Sequence, residues 1–481
     1  MNAFKKKSLY AALAGVSALG AVNVAQAVNV NGDGTGQVLI YPYYTTRADA
    51  LGNTFQTLLS VVNTTGSVKA VKVRFLEGKN SQEVLDFNLF LSPFDVWTAA
   101  VTNTADGSGA QVATADTSCT LPTFGGAAIP FVNYQYAIDG GGTSLDRTKE
   151  GYVEIIEMAT YTDLSVTGVA ATHVKGVPPC GTKLSDITAA AEAKAPSGGL
   201  FGGVQLVNVL TGTAMSASAT ALDNYSIAAN YWTSGSIYPN LAQAIPPVSQ
   251  VQAGNAVYTS TWAPGADPVS AVLMHSAVLN EYVLDAVTAS RTDWVLTFPT
   301  KAYYVKAGTG AAAGTLFQNN FNTTVGSCDT ISLAIFDREE QFPSTPVGFS
   351  PPKPGPAAQS LCWEANVLTF QPLGTTYATA SPILGSVNFT GVAYTYQNGW
   401  LNLGFPAVTG KHYLANAATS ITTILGSTTT GNSVVYKGLP VVGFAAVSYT
   451  NGAVNVGGKL VQSSYGVDFG HRYTTSITSA Q

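Results

Sequence analysis

Four histidines, two glutamates three residues apart and one Ser-x-x-Lys tetrapeptide are the residues of this chain whose types could do chemistry. His173, His275, His412 and His471 are scattered, and no two stand at metal-ligand spacing. Ser350-Pro351-Pro352-Lys353 has the spacing that lets a lysine activate a serine, but it lies among prolines and its companion motifs are missing. Glu154 and Glu157 resemble a glycosidase pair, yet residues three apart on a strand point to opposite faces, which speaks against a site built from these two alone. No G-x-S-x-G, H-E-x-x-H or P-loop is present. Convergent sites carry no motif, so a hydrolase with an unrecognised site stays open, although the chain reads more as a non-enzyme. No catalytic residue and no cofactor-binding residue is assigned.

Metal and ligand signals are equally thin. Asn29, Asn31 and Asp33 alternate before a bend at Gly34, as in a calcium loop, but the twelfth position that should close it with an acid is Ile40. Asp139-Gly140-Gly141-Gly142 with Asp146 could hold a cation and reads equally well as turn chemistry. Calcium is the one metal the pattern leaves open, and no other cofactor is implied. Trp294, Leu296 and Phe298 share one side of a strand, either a carbohydrate platform or buried core, and core is the expectation.

Cys119, Cys180, Cys328 and Cys362 are an even set without a CxxC, which argues for disulfides and against zinc. Three connectivities are open. Neighbour pairing, Cys119 with Cys180 and Cys328 with Cys362, closes the shortest loops and is favoured.

The elements that must position these residues are mostly strands. Val71, Val73 and Phe75 alternate with Lys72 and Arg74. After a polar turn at 77–81, Leu85, Phe87, Leu89 and Leu91 recur with period two. This predicts a hairpin with one wet face and one covered face, the mark of a sandwich strand pair. Residues 57–63, 151–158, 203–210, 291–298, 366–370, 386–396, 399–404 and 434–449 read as further strands, and Asn451-Gly452 as a hairpin turn. Residues 187–194 read as a short helix capped by Asp186, and Asp267-Pro268 opens another that should carry His275. Six prolines between residues 343 and 356 predict a stiff loop. The fold expected is mainly β, an Ig-like antiparallel sandwich at the N-terminus followed by further β-rich domains with one or two short helices. Residues 28–101 carry the sandwich strands, 102–341 a central β-rich region, 342–362 the proline loop and 363–481 a C-terminal β-rich region.

Lys5-Lys6-Lys7, an apolar run from Leu9 to Val22 and Ala25-Gln26-Ala27 have the order of a signal peptide, cleaved after Ala27. The apolar run is too short and too rich in Ala and Gly to span a bilayer, and no later segment is long and apolar enough. Without residues 1–27 the chain has 19 basic and 27 acidic residues, a formal charge of −8. That excludes the basic footprint of a nucleic-acid binder. Charged residues make up only 10%, against roughly 25% in ordinary soluble domains. An outer-membrane barrel is disfavoured by the proline and glycine loops and by a C-terminal Gln481 in place of an aromatic residue.

The segments at 77–81 (Glu-Gly-Lys-Asn-Ser), 292–301 (Thr-Asp-Trp-Val-Leu-Thr-Phe-Pro-Thr-Lys) and 438–444 (Gly-Leu-Pro-Val-Val-Gly-Phe) resemble parts of exported proteobacterial cell-surface proteins of unassigned function. The resemblance implies a shared fold and a location at the cell surface, associated with the outer membrane or extracellular, and brings no catalytic residues. The composition, poor in charge and rich in Thr, Ala, Gly and Val, is similar to that of surface-layer and appendage subunits. The leading expectation is a cell-surface assembly protein that self-associates through strand edges and Thr-rich faces. The alternative, resting on 23 Tyr and 6 Trp, is a binding module for cell-surface polysaccharide or a hydrophobic substrate.

Overall fold

The computed structural model describes residues 26–340, 359–375, 377, 379–394, 396–416, 420–424, 427–430 and 434–479. Most of the signal-peptide segment, the six prolines and Ser350-x-x-Lys353 lie outside these residues.

Thirteen strands build the first sandwich: β1 (Asn29–Val30), β2 (Val38–Thr45), β3 (Gln56–Asn63), β4 (Val68–Glu77), β5 (Glu83–Leu91), β6 (Val96–Asn103), β7 (Ala110–Ala113), β8 (Cys119–Leu121), β9 (Ile129–Pro130), β10 (Glu150–Tyr161), β11 (Leu200–Asn208), β12 (Thr213–Ser218) and β13 (Thr220–Asp223). They form a seven-stranded sheet in the order β1-β13-β2-β10-β4-β5-β8 and a six-stranded sheet in the order β12-β11-β3-β6-β7-β9. The predicted hairpin is present, with β4 and β5 antiparallel and Val73 opposite Phe87. The sandwich does not close at residue 101. β10 runs between β2 and β4, and β11 pairs with β3, so strands from residues 150–223 complete both sheets.

The predicted wet face of that hairpin is covered, which corrects the sequence reading. Lys72 is 0% and Arg74 5% exposed. The seven-stranded sheet is covered on both sides. Leu39, Tyr41, Val71, Val73, Val153 and Ile155 pack toward the six-stranded sheet. Val38, Ile40, Ile156 and Leu222 join a second core with Leu241, Trp262, Leu273 and Phe298. Charges survive there because each meets a counter-charge on a neighbouring strand. Lys72 Nζ lies 2.9 Å from Asp86. Arg74 reaches Glu83 at 2.7 Å and Glu154 at 2.5 Å.

The C-terminal half contributes two five-stranded sheets. One orders Phe389–Tyr394, Ala365–Pro372, Arg291–Thr297, Val442–Val456 and Lys459–Gly470; the other orders Gln359–Leu361, Asp329–Asp337, Asn398–Gly404, Ala277–Val283 and Arg472–Thr474. Ala365–Pro372 and Phe389–Tyr394 run parallel, whereas the other named strand pairs are antiparallel. Trp294, Leu296 and Phe298 are fully buried, Trp294 packing on Phe370 at 5.2 Å between ring centres, so the aromatic row is core. Val295, on the opposite side of the same strand, packs with Val367, Phe444 and Ala446 into the core of the first sandwich. The two halves therefore contribute to both cores, and Thr297 Oγ1 donates to Pro42 O across the join at 2.6 Å.

Four short α-helices occur among the described residues, where one or two were expected: α1 (Tyr136–Asp139), α2 (Val166–Ala171), α3 (Asp186–Glu192) and α4 (Asp267–Val272). α3 is capped by Ser185, whose Oγ accepts from Thr188 N, while Asp186 accepts from Tyr231 Oη and Ser234 N. α4 stops before His275. Leu273 O accepts from Val441 N, and Met274–His275 pairs as a strand with Leu439–Pro440. Asn451-Gly452 is not the hairpin turn. The register slips there, and the turn falls at Gly457-Gly458, both left-handed with φ of 60° and 81°, as a tight hairpin turn requires.

Candidate functional site

Cys119 is joined to Cys180 and Cys328 to Cys362, the pairing that shortest loops favour, and no described cysteine is free. The first bridge ties the sheet edge at β8 to the segment between α2 and α3. The closed loops span 61 and 34 residues, so each bridge should stabilise the fold by about 4 kcal/mol on the chain-entropy account. Cys119→Ser with Cys180→Ser is expected to lower the urea midpoint accordingly, and an unchanged midpoint would count against a structural role.

The histidines do not converge. His471 is buried. Its Nε2 donates to Val295 O at 3.0 Å and its Nδ1 lies 3.0 Å from the Asn280 amide nitrogen, an arrangement that suits the neutral ring. Burial pushes its pKa down to about 4, the Val295 carbonyl opposing. His275 stacks on Tyr473 at 4.1 Å. His412 lies in a buried polar cluster with Asp329 and Lys301, and Lys301 Nζ stands 2.8 Å from Asp329. His173 comes nearest to catalytic geometry, with Ser92 Oγ at 2.5 Å and Asp95 at 3.6 Å. Both, however, face the same ring nitrogen, Nδ1, and the Ser92 hydroxyl donates to Ala171 O. A triad needs the nucleophile and the acid on opposite nitrogens. Ser92 is a structural link.

Most of the carboxylates that spacing singles out are paired internally. Glu154 and Glu157 sit on opposite faces of β10, as their spacing predicts. Glu154 meets Arg74, while Glu157 meets Lys69 at 2.6 Å and accepts from Ser197 N and Gly198 N. Asp139 pairs with Arg147, and Asp146 with Arg47. Glu150 joins the two halves, accepting from Arg47 Nε, Tyr43 Oη and Ser386 Oγ. Asn31 is spent on a turn, its side chain accepting from Asp33 N and donating to Thr35 O. Among the described residues no group of three or more His, Cys, Asp or Glu side chains could hold a metal.

Among the described residues, the outer face of the six-stranded sheet is open to a partner. Alternate residues of its strands form rows across it. Phe201, Val62 and Val96 make one row, and Ser218, Gly203, Ser60 and Thr98 the next. Ser216, Gln205, Leu58, Ala100 and Ala113 make the third. Phe201 and the second and third rows line a shallow trough of about 640 Å³, and Phe201 and Leu58 are 43% and 39% exposed. None of the six strands contains a charged residue. Asp116 and Asp468 at the rim are turned to backbone, accepting from Thr98 N and Ser216 N.

This face departs from the usual distribution, in which charge lies on open faces and is rare in cores. Fifteen Asp, Glu, Lys and Arg side chains are buried among the described residues, out of 22 basic and 27 acidic in the whole chain. Sequence reasoning put Lys72 and Arg74 on a wet face and gave no attention to strands that lack charge altogether. The signal was present: β3, β6, β11 and β12 carry no Asp, Glu, Lys or Arg at any position.

The strand edges are less available than the low charge implies. β1 and β9 are two residues long and β8 three, a blunt end to each edge they form. In comparisons with protein-family models, curated proteins and solved structures, nothing matches this chain.

Proposed function

We propose that the protein is exported and assembles with other copies of itself at the cell surface, through neutral sheet faces rather than ion pairs. The observation that carries this reading is the outer face of the six-stranded sheet, whose strands contain no charged residue, in a chain that buries fifteen of its charged side chains. Two disulfides and the absence, among the described residues, of a helix able to cross a membrane fit an exported chain. Val28 N donates to Val248 O and Val28 O accepts from Gln250 N, so a chain that begins at Val28 keeps its first attachment to the folded body.

Fractionation of cells in low salt, high salt and urea tests the reading. An assembly held by neutral contacts should stay with the cells in high salt, where screening weakens ion pairs, and should dissolve in urea. Intact mass of the recovered protein should correspond to cleavage after Ala27. Recovery solely as a monomer in the medium overturns the proposal. A second reading, binding of a neutral polysaccharide, is favoured by Trp400, which is 39% exposed and stacked on Phe336 at 4.5 Å.

A further inference from the structure

The outer face of the six-stranded sheet, we infer, is where a second copy of this chain docks, face to face. The inference rests on the assembly reading above and names the surface that performs it. Three features of the face select a copy of the same chain as occupant.

The first is electrostatic. A face that carries no charge does not repel its own image, whereas a charged face would. The second is hydrogen bonding. Ser60, Thr98, Gln205, Ser216 and Ser218 each bring a group that donates and accepts, so the same set on a second copy can satisfy them without a partner of complementary polarity. The third is size. Six strands at ~4.8 Å spacing and about six residues each at ~3.4 Å cover about 600 Å² per copy. Two copies would bury about 1,200 Å², above the roughly 1,000 Å² that a specific interface needs.

The relief of the face suits sheet-on-sheet packing. Gly203, Ser60, Ala100 and Ala113 make a low centre, and small side chains let two sheets approach to about 10 Å. Phe201 and Leu58 stand proud of it and give each copy an apolar knob for the trough of the other. Both are anchored on long strands whose inward residues, Leu59 and Val204, are buried in the sandwich core.

The test is sedimentation and native mass measurement of the chain from Val28 onward. The variants are Gln205→Arg and Ala100→Arg, which place like charges against each other in the face-to-face pair. Both side chains point outward, so melting temperature and circular dichroism should match the unsubstituted protein. Ala334→Arg, on the exposed side of a C-terminal sheet, is the control. The unsubstituted protein and Ala334→Arg should associate, and the two face variants should associate roughly 100-fold more weakly or worse. If the unsubstituted protein associates and the face variants do so equally well, this surface is wrong while the assembly reading stands. If the unsubstituted protein is monomeric at every concentration, both fall. A monomer that loses polysaccharide retention on Gln205→Arg would assign the face to a glycan and overturn the inference.

Discussion

Arg74→Met is expected to cost about 3–5 kcal/mol of stability, among the largest effects of any single substitution at a charged residue of this chain. Arg74 is the one cation between two carboxylates, Glu83 at 2.7 Å and Glu154 at 2.5 Å, and all three are buried. Methionine fills much of the volume but leaves two acids facing each other in an apolar interior. Burial already raises the pKa of both, to about 7 for Glu154, with Arg74 holding each of them down. Without the guanidinium they should take up protons, which relieves part of the cost at low pH. The loss measured by urea unfolding should therefore be larger at pH 8 than at pH 5. Arg338→Met is the contrast, because its pair with Glu339 is 70% and 56% exposed and should be silent. A loss below about 1 kcal/mol for Arg74→Met at pH 8 would show that the network contributes little.

How far the sequence was legible follows from what each signal depends on. Alternation depends only on local geometry, and it located β4, β5, β10 and Arg291–Thr297 to within a few residues. It also placed Glu154 and Glu157 on opposite faces. Loop length alone favoured the observed disulfide pairs. What alternation cannot report is whether the second face of a strand meets water or another layer. Lys72 and Arg74 read as solvated because lysine and arginine usually are, and the covering layer comes from residues more than 150 positions away, such as Leu241 and Phe298. The same blindness hid the candidate site. A neutral strand such as Gln56–Asn63 looks half-buried in either orientation, and only pairing with β6 and β11 shows that Leu58 and Ser60 face outward. Asn451-Gly452 failed for a different reason. Its dipeptide suits a tight turn, but Gly457-Gly458 suits one better, and a strand long enough to reach it absorbs the first pair as a bulge.

Asp293→Asn should gain stability relative to the unsubstituted protein as pH rises, by about 2–3 kcal/mol between pH 4 and pH 7. Asp293 is fully buried on Arg291–Thr297. It accepts from Thr369 Oγ1 at 2.9 Å and from Ile383 N and Leu384 N, and it has no ion-pair partner among the described residues. Burial raises its pKa from 3.8 to about 6, with those hydrogen bonds opposing. Between about pH 4 and pH 6 the folded chain thus holds a proton that the unfolded chain has released. Its contribution is intact below the unfolded value, is lost as pH rises through the folded one, and is constant above that. Asparagine keeps an oxygen for the two backbone donors and never ionises, so the variant escapes the loss. The unsubstituted protein alone would not reveal the effect. His471 and His275, pushed down to about 4 by burial, shed protons on folding over the same range and change stability in the opposite sense. Subtracting the two unfolding curves cancels these common groups and isolates Asp293. A difference between variant and unsubstituted protein that stays constant from pH 4 to pH 8 would mean that Asp293 is ionised throughout, held by hydrogen bonds alone.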